Sequence, residues 1–310
     1  MAQRTVMITG GSGLVGRNLL ECDNLKSYRL LSPSHSELDL CDYNAVLSYI
    51  DRNKPDFIIH AAGHVGGILA NMKDLYGYFM PNILMGLNIV RAAKETGIKN
   101  LLNLSSSCTY PCDAPNPLKE NIILTGRFEP TNEGYAIAKA AVLKACEYIT
   151  TQHQGFNYKT IIPCNLYGPY DKFSPENSHF MPAIIRKIHE AKENHVNEIT
   201  IWGDGKTRRE LLYVKDLCSI IALSLDRFDE LPAVMNVGTG VDYTIDQYYQ
   251  SACNVMDLDA KFTHDLTKPS GMRQKLMDIS RQKELGLEAT FTLEQGISET
   301  YEYYLGTCKG

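Results

Sequence analysis

The 310-residue chain has a single tryptophan, no run approaching about 18 consecutive apolar residues, and no long block of like charge. Without such a run, no membrane-spanning helix is expected. A net charge of −5 with no basic stretch gives nucleic-acid binding little support. The opening Met-Ala-Gln-Arg-Thr-Val-Met-Ile-Thr-Gly lacks the apolar core and small-residue cleavage site of a secretory signal, so a cytoplasmic location is expected. Nine cysteines, an odd number, show no paired metal spacing. Cys108 and Cys112 are three residues apart in the intervening chain but have no second ligand pair, so reduced thiols and no metal are expected. Internal repeats and low-complexity tracts are also lacking. A hydrophobic content of 44% and a charged content of 22% describe an ordinary globular chain with an ample core.

What is present is an alternation of strands and helices. Arg4–Thr9, Tyr28–Leu31, Phe57–Gly63, Asn100–Ser106 and Lys159–Asn165 read as strands. Helical patterns run from the glycines after Thr9 to about Cys22, over Asp74–Thr96 up to Gly97, and over Tyr135–Gln152. This order predicts an α/β, doubly wound parallel sheet with right-handed crossovers. After Leu166 the pattern breaks into a loop over 167–179, a helix over Pro182–Glu193 and a strand at Glu198–Trp202. Val234–Val237 is predicted to return to the main sheet. The chain therefore divides into a dinucleotide-binding domain, 1–165 plus about 210–238, and a smaller C-terminal α/β substrate lobe, about 166–209 and 239–310.

Gly10, Gly13 and Gly16 lie directly between the first strand and the first helix. Small residues there let the backbone turn tightly and approach a pyrophosphate. The end of the second strand, Leu31-Ser-Pro-Ser-His-Ser-Glu37, has no acid before Glu37 to take ribose hydroxyls, and it has no arginine. That favours a 2′-phosphate, with Ser32, Ser34, His35 and Arg17 as donors, and hence NADPH.

Tyr135 and Lys139 are four residues apart, which on a helix stacks phenol and ammonium on one face. A cation beside a phenol is expected to lower its pKa and suit it to proton transfer. Chance supplies such a pair in a chain with 18 tyrosines, so the context carries the weight: a glycine turn upstream and the serines at 105–107. Ser106 is the member expected to face a carbonyl, because strand alternation turns Ser105 and Ser107 elsewhere.

With these motifs in order, the chain resembles the extended short-chain dehydrogenase/reductases. The match tightens over Val65-Gly-Gly-Ile68, Ser106-Ser-Cys-Thr-Tyr-Pro111, Glu129-Pro-Thr-Asn-Glu-Gly-Tyr-Ala-Ile-Ala-Lys139, Asn165-Leu-Tyr-Gly-Pro169, Asn177-Ser-His179 and Trp202-Gly-Asp-Gly. These look like the GDP-L-fucose synthase family, 3,5-epimerases and 4-reductases of GDP-4-keto-6-deoxy-D-mannose. The resemblance runs from about residue 4 to the C-terminus. It implies Tyr135, Lys139 and Ser106 for the reduction, Cys108 as base and His179 as acid for the epimerisation. It implies cofactor contacts at Gly10, Gly13, Leu14, Val15, Gly16, Asp39, Ala61, Ala62, Tyr135, Lys139, Pro163, Asn165 and Leu166. Ser107, Asn165, His179, Lys187, Trp202, Arg209 and Lys275 are implied for the GDP-sugar, and a homodimer is implied through the helices near 74–96 and 135–152.

Plainer readings stand beside these. Cys108 taken alone is an inert buried thiol, His179 a satisfied loop histidine, Ser106 a cap, Trp202 plain core, and Lys187 and Arg209 solvated charges. His60 and His64 read as structural. Three rival functions remain open: a C4 reductase of a related GDP-4-keto-6-deoxy sugar such as a heptose, a 4-epimerase that recycles bound NAD, and a cofactor-binding scaffold without activity.

Overall fold

A computed structural model describes residues 3–175, 178–267 and 272–308. The chain opens with β1 (Thr5–Thr9), α1 (Leu14–Leu20), β2 (Arg29–Leu31), α2 (Tyr43–Asn53) and β3 (Phe57–His60). It continues through α3 (Ile68–Lys73), α4 (Leu75–Glu95), β4 (Asn100–Leu104), α5 (Glu133–Gln152), β5 (Asn157–Pro163) and β6 (Asn165–Tyr167). Next come α6 (Phe180–Glu193), β7 (Glu198–Trp202), β8 (Arg208–Arg209), β9 (Leu211–Tyr213), α7 (Val214–Asp226) and β10 (Val234–Val237). The last elements are β11 (Tyr243–Thr244), α8 (Ile245–Val255), β12 (Lys261–Asp265), β13 (Gln274–Lys275), α9 (Ser280–Glu284) and α10 (Leu293–Cys308).

The predicted strands other than β7 form one parallel sheet in the order β10-β5-β4-β3-β1-β2, while β7 pairs with β12 in a separate two-stranded sheet. Val234–Val237 joins it beside β5, as its sequence implies. Both faces are covered, so the strands are apolar at consecutive positions rather than alternate ones: Val6, Met7 and Ile8 are all fully buried. Val6 and Ile8 enter the core shared with α1 and α7, while Met7 enters the core shared with α2, α4 and α5. A third core surrounds α6, whose Met181, Ile184, Ile185 and Ile188 recur at helical spacing and meet Ile199, Ile201 and Tyr248.

β1 sends the chain outward to β2 and then back across to β3, which creates a switch in winding direction between β1 and β3. In open parallel sheets ligands bind outside the carboxyl ends of the strands at such a switch. Gly10, Ala61, Ser105 and Cys164 follow β1, β3, β4 and β5 respectively, so the candidates Gly10, Ala61, Ser106 and Asn165 lie in segments that leave one edge of the sheet.

Candidate active site

The glycine turn is closed by a Gly13 N–H to Gly10 carbonyl bond of 3.0 Å. Gly10 has φ +77°, and a Cβ there would lie 2.7 Å from the Cα of Ala62. The tight approach of the β1 and β3 carboxyl ends therefore places Ala61 and Ala62 against the turn. A Cβ on Gly16 would fall 2.1 Å from the Gly10 carbonyl oxygen, so the helix also seats on the turn. At Gly13 a Cβ would meet only that same oxygen, at 3.4 Å, which leaves a cradle of bare backbone on its outer side. The cradle fits a dinucleotide pyrophosphate. Leu14 and Val15 follow it, half-buried.

At the end of β2 the expected donors separate. Ser34 gives both its N–H and its hydroxyl to Glu37, each at 2.8 Å, and these bonds hold the Glu37 carboxyl below its ordinary range. Ser34 is thus tied to Glu37. Ser32 lies against Gly11, His35 is exposed, and the Arg17 guanidinium sits 5.0 Å over the Tyr170 ring. Asp39 is exposed and accepts the Cys41 N–H at 2.9 Å.

Beyond β4 the chain turns through a short 3-10 segment, Ser107–Thr109, capped by the Ser106 hydroxyl, which accepts the Cys108 N–H at 3.3 Å. The Ser106 hydroxyl also acts on the Tyr135 phenol, so capping does not remove it from the cluster. Ser107, implied for substrate, is buried at 2% exposure, leaving Ser106 as the serine of the cluster bonded to the phenol. Tyr135 lies on the first turn of α5. Its ring is half-buried, but its hydroxyl lies deep among protein atoms. Burial pushes this phenol above its ordinary range, with the nearby Cys108 adding to the effect and Ser106 opposing it. This is the reverse of the expected lowering. Lys139 is buried, donates to the Leu104 carbonyl at 3.0 Å and lies 5.8 Å from the Tyr135 ring. Burial lowers the ammonium to about 8. His60, buried and bonded to the Thr9 hydroxyl at 2.9 Å, is pushed down to about 3 by burial and Lys139, as suits a neutral structural histidine.

Cys108 is half-buried rather than enclosed in the core. The Asn132 amide donates to its sulfur at 3.0 Å, and Lys275 Nζ stands 4.0 Å away. Asn132 belongs to the turn 130–132 that leads into α5, inside the Glu-Pro-Thr-Asn stretch, but nothing in the spacing marked it. Lys275 pairs with Arg209 in register across β13 and β8, so two cations stand side by side at this edge. Arg209 donates to the Arg208 and Met272 carbonyls at 2.8 and 2.6 Å. Burial lowers its guanidinium, with Glu129 opposing. Lys187 donates to the Thr200 carbonyl at 3.3 Å and lies 5.5 Å from the Trp202 ring. Trp202 is 46% exposed, which rules out the plain-core reading.

His179 caps α6, and its Nδ1 shares a 2.9 Å hydrogen bond with Asp171 Oδ1. That bond raises the imidazole pKa, with burial acting the other way. The neighbouring Ser178 carbonyl lies 3.4 Å from where a Cβ on Gly67 would be. Gly67 starts α3, which packs on the turn bearing Asn132. Asn177 lies outside the described residues. Pro163 ends β5, and Asn165 and Leu166 pair with Leu211 and Leu212 of β9.

A dinucleotide cradle on the same sheet edge as a serine, a tyrosine and a lysine is the equipment of a nicotinamide-dependent enzyme acting on a carbonyl carbon. The chain belongs to the NAD dependent epimerase/dehydratase family, whose model matches residues 6–238, within the extended short-chain dehydrogenase/reductases. It is 46% identical to GDP-L-colitose synthase of Yersinia pseudotuberculosis, over 97% of each chain. It is also 46% identical to GDP-L-fucose synthase of Azorhizobium caulinodans, over 97% of this chain and 96% of that one. A solved GDP-6-OMe-4-keto-L-xylo-heptose reductase from C. jejuni superposes with a TM-score of 0.90 at 26% identity, covering 99% of both chains. Among the described residues, no helix is long and apolar enough to cross a membrane.

Proposed function

We propose that this protein converts GDP-4-keto-6-deoxy-D-mannose to GDP-L-fucose by 3,5-epimerisation followed by 4-reduction. The observation that carries this reading is the grouping of Cys108 with Ser106 and Tyr135. A pure ketone reductase needs the last two but has no use for a thiol that is hydrogen-bonded by Asn132 and approached by Lys275.

C3 and C5 both flank the C4 ketone, so loss of either proton gives an enolate whose charge sits on the C4 oxygen. Ser106 and Tyr135 hydrogen-bond that oxygen and stabilise the charge. Cys108, as its thiolate, takes the carbon proton, and His179 returns one from the opposite face. Tyr135 then gives its phenolic proton to the C4 oxygen. Its raised pKa keeps that proton in place until it is needed. NADPH, held along Gly10–Gly16, supplies the hydride that reduces C4. Lys139 orients the ribose and Tyr135, while Arg209 and Lys275 meet the diphosphate and Trp202 borders the guanine. The lobe formed by 166–209 and 239–310 supplies most of these sugar-nucleotide contacts.

The equal identity to a GDP-L-colitose synthase favours one second reading, in which the product is GDP-L-colitose, whose sugar lacks the C3 hydroxyl of fucose. Purified protein with NADPH and each 4-keto substrate in turn, followed by product NMR, separates the two. Turnover of neither substrate would remove both. A homodimer packed through α4 and α5 and a cytoplasmic location complete the proposal; the nine free thiols suit a reducing compartment.

A further inference from the structure

We infer that Asp171 fixes the orientation and tautomer of His179, so that Nε2 is the ring atom that returns a proton to the sugar carbon. This deepens the epimerase reading above and rests on it for the identity of the proton acceptor. The two partners are unequally exposed: the Asp171 side chain is 2% exposed and the His179 side chain 34%. The carboxylate is therefore the enclosed anchor and the imidazole the member that reaches the protein surface. With Nδ1 committed to Asp171 at 2.9 Å, only Nε2 remains to exchange protons.

The carboxylate is poorly explained as a loop tie alone. Oδ1 carries both contacts, the ring nitrogen and the Lys172 N–H at 2.8 Å. Oδ2 is buried with no hydrogen-bond partner among the described residues. An enclosed acceptor left unpaired is costly, and an asparagine would tie the same loop without a buried charge. The negative charge makes sense beside a ring that becomes cationic. It stabilises the protonated imidazole, and after donation it retains the proton on Nδ1, leaving the Nε2 lone pair free to reload. Among the described residues the charges acting on the ring are Asp171, which favours the cation, and Lys172, which opposes it. The backbone sets the pair in place: Tyr170, just before Asp171, has φ +71°, and its ring is held against Arg17 and Tyr303.

The test is an NMR titration of isotope-labelled histidine in the full-length protein, with His179→Gln to assign the resonance. In the native protein the His179 midpoint is expected above the usual value of about 6.5, with the neutral ring protonated at Nδ1. In Asp171→Asn the midpoint should fall by about one unit or more and the Nδ1–H preference should weaken. The ratio of solvent exchange at C5 to reduction should fall about tenfold or more, the range of a lost proton-transfer partner. Asp171→Glu should restore part of each. An Nε2-protonated neutral ring, or a midpoint at or below 6.5 in the native protein, overturns the inference even if Asp171→Asn does not fold. So does an unchanged midpoint in a folded Asp171→Asn. A midpoint that moves as expected in a protein that never exchanges C5 upholds the pair and overturns the epimerase reading instead.

Discussion

A phenol holds its proton at neutral pH, and burial of Tyr135, with Cys108 nearby, raises its pKa further, which suits a proton donor to a C4 oxygen. Tyr135→Phe is therefore expected to cut substrate-dependent NADPH oxidation by about 10²–10⁴-fold, measured by absorbance, while solvent exchange at C3 and C5 survives better. Cys108→Ser should do the opposite, slowing exchange more than the reduction of an already epimerised substrate; equal losses would dissolve the division of labour. The pH dependence follows from His179. Its folded pKa is raised, so the stability it contributes is fully present below the ordinary value and is lost as pH rises through the raised one. Exchange at C5 should lose its acid over that same rise, seen as an alkaline limb in the exchange rate. These residues were unequally legible. Ser106, Tyr135 and Lys139 stand in short local motifs. Asp171 does not, because its tie to His179 spans eight residues of loop without periodicity. The direction of the Tyr135 shift depends on how deeply the fold encloses the hydroxyl, which spacing along a helix does not encode.

α4 and α5 carry the site's second layer, since α5 bears Tyr135 and Lys139 and leans on α4 where Gly86 meets Val142. A Cβ on Gly86 would fall 2.3 Å from a Val142 methyl. Gly86→Ala is expected to destabilise the fold by about 1–3 kcal/mol through overpacking, read as a lower melting temperature, and Val142→Ala in the same chain should recover part of it. A melting temperature unmoved by Gly86→Ala would show that the helices separate freely. The six strands of the main sheet, β7, α4, α5 and α6 were readable from apolar runs and helical periodicity, with boundaries within a few residues. α7 had a usable signal that went unread: Val214, Leu217, Ile221 and Leu225 recur at helical spacing and are buried. α2 and α8 had usable signals that went unread: the Asp42 cap with Val46 and Ile50, and the Thr244–Gln247 capping box.

Across the whole molecule, the proposed dimer accounts for large apolar side chains left on α4 and α5. Tyr76, Leu84 and Leu87 on one helix and Ile137 and Tyr148 on the other are exposed in the single chain. Light scattering should give twice the 34.7 kDa chain mass, and Leu84→Glu should shift it toward one chain; a native mass of one chain would refute the dimer. The parallel sheet with helices on both faces was foreseeable from the alternation of strands and helices. The pairing of Lys275 with Arg209 was not, because β8 and β13 are two-residue strands about 65 positions apart, too short to show any pattern.

The central claim is that one pocket both inverts carbons beside the ketone and reduces it. Turnover of GDP-4-keto-6-deoxy-D-mannose with NADPH in D2O, read by NMR of the purified product, tests it most directly. The account predicts deuterium at C3 and C5 and the L-fuco configuration. A reduced product that keeps its original hydrogens and configuration at both carbons would contradict it.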